Sequence, residues 1–175
     1  MFKKVVGSLI VASALSIGFG SAESEASEWN QSSIKVEQSN SGWEKMMEIK
    51  NNKMDEFKSE FKGSASSMQR HSVNLRSYQL QNGHSKGAAT ATQKSDITLD
   101  VESKLSNNSK ELNQTTEGSG IMEQTSTTKN AARLLQSQSN TTAVYHFQAS
   151  IEGGPSIQNQ MLQIHSFQFS SVVER

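Results

Sequence analysis

Residues 87–107 read GAATATQKSDITLDVESKLSN. The odd positions carry Ala89, Ala91, Gln93, Ser95, Ile97, Leu99, Val101, Ser103 and Leu105. The even positions carry Thr90, Thr92, Lys94, Asp96, Thr98, Asp100, Glu102 and Lys104. A period of two with one apolar or small side and one polar side is the signature of a strand with one face covered. The alternation runs far beyond the five or six residues of an ordinary strand, so long ribbons are expected.

Working outward, the chain preceding residue 23 reads as an export signal. Lys3 and Lys4 are followed by an apolar run diluted with Gly, Ser and Ala, then by Gly20-Ser21-Ala22. This pattern predicts a secretory signal peptide over 1–22, cleaved after Ala22, and an extracellular destination. The run is too short for a membrane-spanning helix, and no integral membrane segment is expected in the mature chain. The 175-residue chain has no Cys, so an exported domain would hold together without disulfides. Ser, Thr, Asn and Gln supply 63 of the 153 residues from Glu23 onward, with Pro155 the lone proline. Polar residues alternating with Val, Ile, Leu, Phe and Tyr fit a largely solvated antiparallel sheet better than a disordered linker. Removing Lys3 and Lys4 from 17 basic residues leaves 15 against 17 acidic ones. With no basic patch, nucleic acid is not an expected partner.

The segment 23–40 shows no sustained period and reads as an irregular lead, with Ile34-Lys35-Val36 as a short strand. Ser41 and Glu44 then fit a helix capping box. Trp43, Met46, Met47, Met54, Phe57 and Phe61 fall near one helical face, Lys50 interrupts it, and Gly63 sits where a C-cap glycine belongs. These features predict an amphipathic helix over about 42–62. Beyond it, Val73, Leu75, Tyr78 and Leu80 mark a strand with a phase slip near Ser77. Asn82-Gly83 predicts a hairpin turn, and Gly118-Ser119-Gly120 and Ser139-Asn140 predict further turns. A weaker strand covers Lys110 to Thr116, while residues 121–138 are compatible with strand or helix. Ala143, Tyr145, Phe147, Ala149 and Ile151 give the clearest core strand. A turn at Gly153-Gly154-Pro155-Ser156 would pair Phe147 with Leu162 and Tyr145 with Ile164. The expected fold is therefore α+β: one domain over 41–175, with one N-terminal helix covering an antiparallel meander of five or six long strands over about 69–173.

Catalytic and metal motifs are missing. No Gly-x-Ser-x-Gly elbow occurs, and the four histidines, His71, His84, His146 and His165, show no ligand spacing. Asp96, Asp100 and Glu102 line one polar face without a calcium-loop motif. No catalytic residue, metal or cofactor is expected, and the chain reads as a non-enzyme. Four Asn-x-Ser/Thr sequons, at Asn30, Asn107, Asn113 and Asn140, fit the chance rate of so Asn-, Ser- and Thr-rich a chain.

The Gln/Asn/Ser-rich ribbons resemble bacterial extracellular amyloids in composition only; no fixed-period repeat with matching Gln and Asn positions is visible. The sequence reading is a secreted, non-catalytic surface or matrix protein acting by self-association or adhesion, with a second copy or cell-surface components as partner. The alternative is an open-faced small-ligand or lipid carrier or inhibitor domain, and a β-pore former stands third. The expected interaction residues are Trp43, Met47, Phe57 and Phe61 on the helix. Tyr145, Phe147, Leu162, Ile164, Phe167 and Phe169 would line a groove beneath it.

Overall fold

The computed structural model describes residues 28–63, 65–107 and 110–175. The signal-peptide reading of 1–22 lies outside the described residues. Six antiparallel strands make up the described fold: β1 (Glu28–Asn30), β2 (Ser33–Lys62), β3 (Ser66–Asn107), β4 (Lys110–Thr128), β5 (Ala132–Ile151) and β6 (Ser156–Glu174). The described residues contain no helix, so the expected α+β class is corrected to all-β. The predicted helix over 42–62 lies wholly within β2, and much of 28–40 is strand as well.

The long strands bend. β3 pairs with one set of neighbours over 66–85 and with another over 89–107. Residues 86–88 pass between two layers. Its two arms then face each other. His71 Nδ1 lies 3.0 Å from Ser103 Oγ, and Gln79 Nε2 donates to Ser95 Oγ at 3.0 Å. Val73, Leu75, Ile97, Leu99 and Val101 fall in one buried cluster with Ile34 and Val144. β2 bends beside β3, with register shifts between Ser41 and Trp43 and between Glu44 and Met47. Gly42 (φ 79°) and Lys45 (φ 49°) supply the left-handed backbone for that bend. A side chain at Gly42 would put its Cβ 2.3 Å from the Ala88 carbonyl oxygen, so only glycine fits. β4 and β5 form the third arch, turning at 129–131.

The first layer thus runs, in order, through 47–62 of β2, 66–85 of β3, β5 and β6. The second runs through β1 with 33–41 of β2, then 89–107 of β3, then β4. Each second-layer strand sits above the gap between two first-layer strands. Gln38 Nε2 donates to carbonyls of both Ile49 and Leu80. The carbonyls of Lys94 and Ser103 on the second arm of β3 accept from Gln79 of its first arm and from Gln148 of β5. β4 carbonyls at Leu112 and Asn113 accept from Gln148 of β5 and Gln158 of β6.

The odd face of 89–107, read from sequence as the covered one, is the buried face from Ala89 through Leu105. The same parity holds along the first arm, where Ser67, Gln69, His71, Val73, Leu75, Ser77, Gln79 and Gln81 are all buried. There is no phase slip at Ser77. The interior is apolar at its centre and again at the bend, where Trp43, Ala89, Ala91, Ala132 and Leu134 cluster, and Gln, Ser and His line it on either side of the centre. Because Gln79, Gln81, Gln136 and Gln138 are fully buried, they need partners in place of water. Gln79 Nε2 donates to Gln138 Oε1 at 2.9 Å, and Gln136 donates to Gln81, forming two side-by-side amide pairs across β3 and β5.

Asn82-Gly83, Gly118-Ser119-Gly120 and Ser139-Asn140 do not turn; all lie inside strands. The last hairpin does turn at 152–155, but its register differs from expectation. Phe147 pairs with Asn159, Tyr145 with Met161 and Val144 with Leu162. The expected pairs sum to 309 and the observed ones to 306. An odd slip exchanges the faces of a strand, so Leu162 and Ile164 point into the stack while Phe167 and Phe169 point out.

Candidate functional site

Two features stand apart from ordinary sheet packing. The first is a buried polar chain at one end of the interior. Glu56 Oε1 lies 2.8 Å from His71 Nε2, and His71 Nδ1 lies 3.0 Å from Ser103 Oγ. Ser103 Oγ lies 2.9 Å from His146 Nδ1, and His146 Nε2 lies 2.7 Å from Thr116 Oγ1, which also accepts from Gln160. The rings of His71 and His146 meet edge to face with centroids 6.3 Å apart. Burial lowers the His146 pKa to about 4, and the neighbouring His71 adds to that shift. Burial pushes the Glu56 carboxyl up, but hydrogen bonds from His71 and Lys58 outweigh it and hold the group below its ordinary value.

Glu56, His71 and Ser103 have the connectivity of a carboxylate–imidazole–hydroxyl triad, which spacing along the sequence did not disclose. Geometry is not sufficient here. Ser103 and His71 are fully buried, and His146 holds the other side of the hydroxyl. A nucleophile must be reached by a substrate, and no face of Ser103 is open. The chain acts as a polar clamp between the layers. His165 lies away from it, opposite Thr141 on the outer face. Among the described residues, no group of three or more His, Asp or Glu side chains is placed to hold a metal.

The second feature is the open end of the stack. β6 pairs with β5 on one side only, and β4 pairs with β3 on one side only. β6 repeats the first arm of β3. Gln79, Gln138 and Gln168 share one rung of the sheet, and 168 − 79 = 89. At that same offset Gln69 matches Gln158, Val73 matches Leu162, Leu75 matches Ile164 and Ser77 matches Ser166. β6 therefore occupies the place of a first arm, and the described residues hold no second arm that would make it a fourth arch. The first arm of β3 is covered by 89–107, whereas no described strand covers β6 on its outer side. Leu162 is 48% exposed and Ile164 is 60% exposed, although their counterparts Val73 and Leu75 are fully buried. The β4 residues above them are Gly118 and Gly120, and a Cβ at either would meet nothing within 4 Å.

The expected interaction residues separate accordingly. Trp43 is buried at the β2 bend with Ala89, Ala91, Ala132 and Leu134. Met47, Phe57 and Phe61 lie exposed on the outer face of the first layer. Tyr145, Phe147, Phe167 and Phe169 share that outer face, with Arg70 placed 5.8 Å over the Phe147 ring. Leu162 and Ile164 lie on the opposite face. The ten residues form no single groove, and the helix that would have roofed one is a strand. What sequence reasoning missed was the 89-residue repeat, whose signal was the shared Gln-x-x-x-(Val/Leu)-x-(Leu/Ile)-x-Ser-x-Gln pattern of 69–79 and 158–168.

No protein-family model matches the chain, and no curated protein matches it.

Proposed function

We propose that the protein is an exported, non-catalytic structural protein that works by strand-edge self-association, with β6 as its adhesive edge. The observation that carries this reading is β6 itself. Among the described residues nothing pairs with its outer backbone edge, and it exposes large apolar side chains on both faces: Leu162 and Ile164 inside, Ile157, Met161, Phe167, Phe169 and Val173 outside. Soluble monomers ordinarily blunt such an edge with charge, proline or a bulge, because an open apolar strand templates pairing with another chain. Within β6 the only ionisable side chains are His165 and Glu174. The buried amide pairs of β3 and β5 support the same reading, since Gln side chains aligned on neighbouring strands can stack on those of a further chain.

The carrier reading has lost its groove, because the residues that would line it lie on two faces. The test is sedimentation velocity of the chain from Glu23 onward across a concentration series, with thioflavin fluorescence read alongside. Concentration-dependent assembly is expected, and Phe167→Lys should shift its onset at least tenfold higher in concentration. A monomer at every concentration would reject self-association.

A further inference from the structure

We infer that the open end of the stack is a receptor slot for one extended peptide strand, which completes the fourth arch by adding to the free edge of β4 above β6. This deepens the proposed function, with which it shares the reading of β6 as an open edge. The chemistry of the occupant follows from the repeat. In the complete arch, the face carrying His71, Val73, Leu75 and Gln79 is met by Ser103, Val101, Leu99 and Ser95. In the incomplete arch the same rungs carry Gln160, Leu162, Ile164 and Gln168. The strand that fits has three alternate apolar residues at its centre and small or amide residues at the alternate positions on either side. Residues 87–107 are such a strand, with Ile97, Leu99 and Val101 at the centre.

Three observations place the occupant in the second layer. Each second-layer strand lies over a gap between first-layer strands, and the next such place, beyond β4 and over the outer side of β6, is filled by none of the described residues. Among the described residues nothing pairs with the outer edge of β4, so a strand lying there gains a backbone ladder as well as a covered face. Gly118 and Gly120 leave room at the centre of that edge, on the rungs already shared by Leu99 and Ile97. The partner strand runs antiparallel to β4, as 89–107 does on β4's other side.

The probe is a fluorescein-labelled peptide of sequence 87–107, titrated into the full chain at a concentration where sedimentation shows it monomeric. A control peptide of identical composition exchanges the odd and even residues, which moves the apolar centre to the other face. Saturable binding of one peptide per chain is expected, with the control at least tenfold weaker. Ile164→Asp should weaken the native peptide at least tenfold while leaving the melting midpoint unchanged, because that side chain is largely exposed. Hydrogen exchange should show new protection in β4. Equal binding of both peptides, no binding, or protection confined to β2 would overturn the slot. Assembly of a chain that ignores the peptide would overturn the slot and leave self-association standing. A permanently monomeric chain that binds the peptide would do the reverse.

Discussion

At the β2 end of the stack, residues 47–62 carry Glu48, Lys50, Lys53, Asp55, Glu56, Lys58, Glu60 and Lys62. At the β6 end, a strand of similar length carries one carboxylate, Glu174, and one imidazole, His165. Both strands are edges, and both expose aromatic and aliphatic side chains outward. They differ on the inward face, where the β2 arm alternates charges that pair along the strand, as in Lys58–Glu56 at 3.2 Å and Lys62–Glu60 at 3.0 Å. Such pairs contribute little stability when solvated. Their larger effect is to make a second sheet edge costly to dock, since docking would strip water from charges. The two ends show how one sheet can be closed to association on one side and open on the other.

The comparison is most sharply tested at equivalent positions of the repeat. Leu75 and Ile164 share a rung and a face, but only Leu75 is covered. Leu75→Ala should cost about 2–5 kcal/mol, as a fully buried aliphatic truncation does. Ile164→Ala should cost less than about 0.5 kcal/mol in the monomer, in line with surface substitutions. Urea unfolding of the two variants measures both. Equal costs would mean that β6 is already covered in solution.

The next effect in size is on pH dependence. His71 and His146 share a rung with Gln160 of β6. With its pKa lowered to about 4 in the fold and about 6.5 when unfolded, His146 binds its proton less readily in the native state. Its contribution is therefore intact above about pH 6.5 and is lost as pH falls towards 4, by on the order of 1–3 kcal/mol. His146→Gln should remove that part of the acid sensitivity, and Gln160→Ala should leave it unchanged. Thermal melts between pH 7 and 4 separate the two.

These positions also show what was legible in the sequence. Residues 89–105 were readable because their covered face is largely small or apolar. Residues 67–81 were harder because, Val73 and Leu75 apart, the buried side chains there are Gln, Ser and His, so a search for apolar alternation registers a slip at Ser77 that does not exist. The misread helix has a related cause. Met47, Phe57 and Phe61 lie near one helical face, but they also all lie at odd positions and so share one face of a strand. Local periodicity left that choice open, and pairing of 47–62 along the whole first arm of β3 decided it. The Gly- and Asn-containing pairs failed as turn signals because a strand tolerates glycine where a close neighbour or an open edge accompanies it. Gly83 lies against Met46, whose Sδ would be 3.0 Å from an added Cβ, and Gly118 and Gly120 face open space. The open end went unseen because recognising it requires knowing that β6 and the first arm of β3 occupy matching places in one layer.

The smallest effect has the opposite sign and bears on the same difference between the ends. In the second layer, Ile34 of β2, Ile97 of β3 and Gly120 of β4 form one rung. Ile34 closes its end of that rung, being buried in the central cluster, whereas Gly120 leaves the other end empty. A β-branched residue at 120 relieves the entropic cost of glycine in a strand and meets no obstructing atom. Gly120→Val should therefore stabilise the monomer by roughly 0.5–1 kcal/mol. Its methyl groups would lie over Ile164 and occupy the space that an incoming strand needs. The same substitution should thus raise the urea midpoint and weaken uptake of the 87–107 peptide. Should Gly120→Val destabilise the fold, the space above Ile164 is already filled by the chain itself, and the two ends are more alike than their strand pairing indicates.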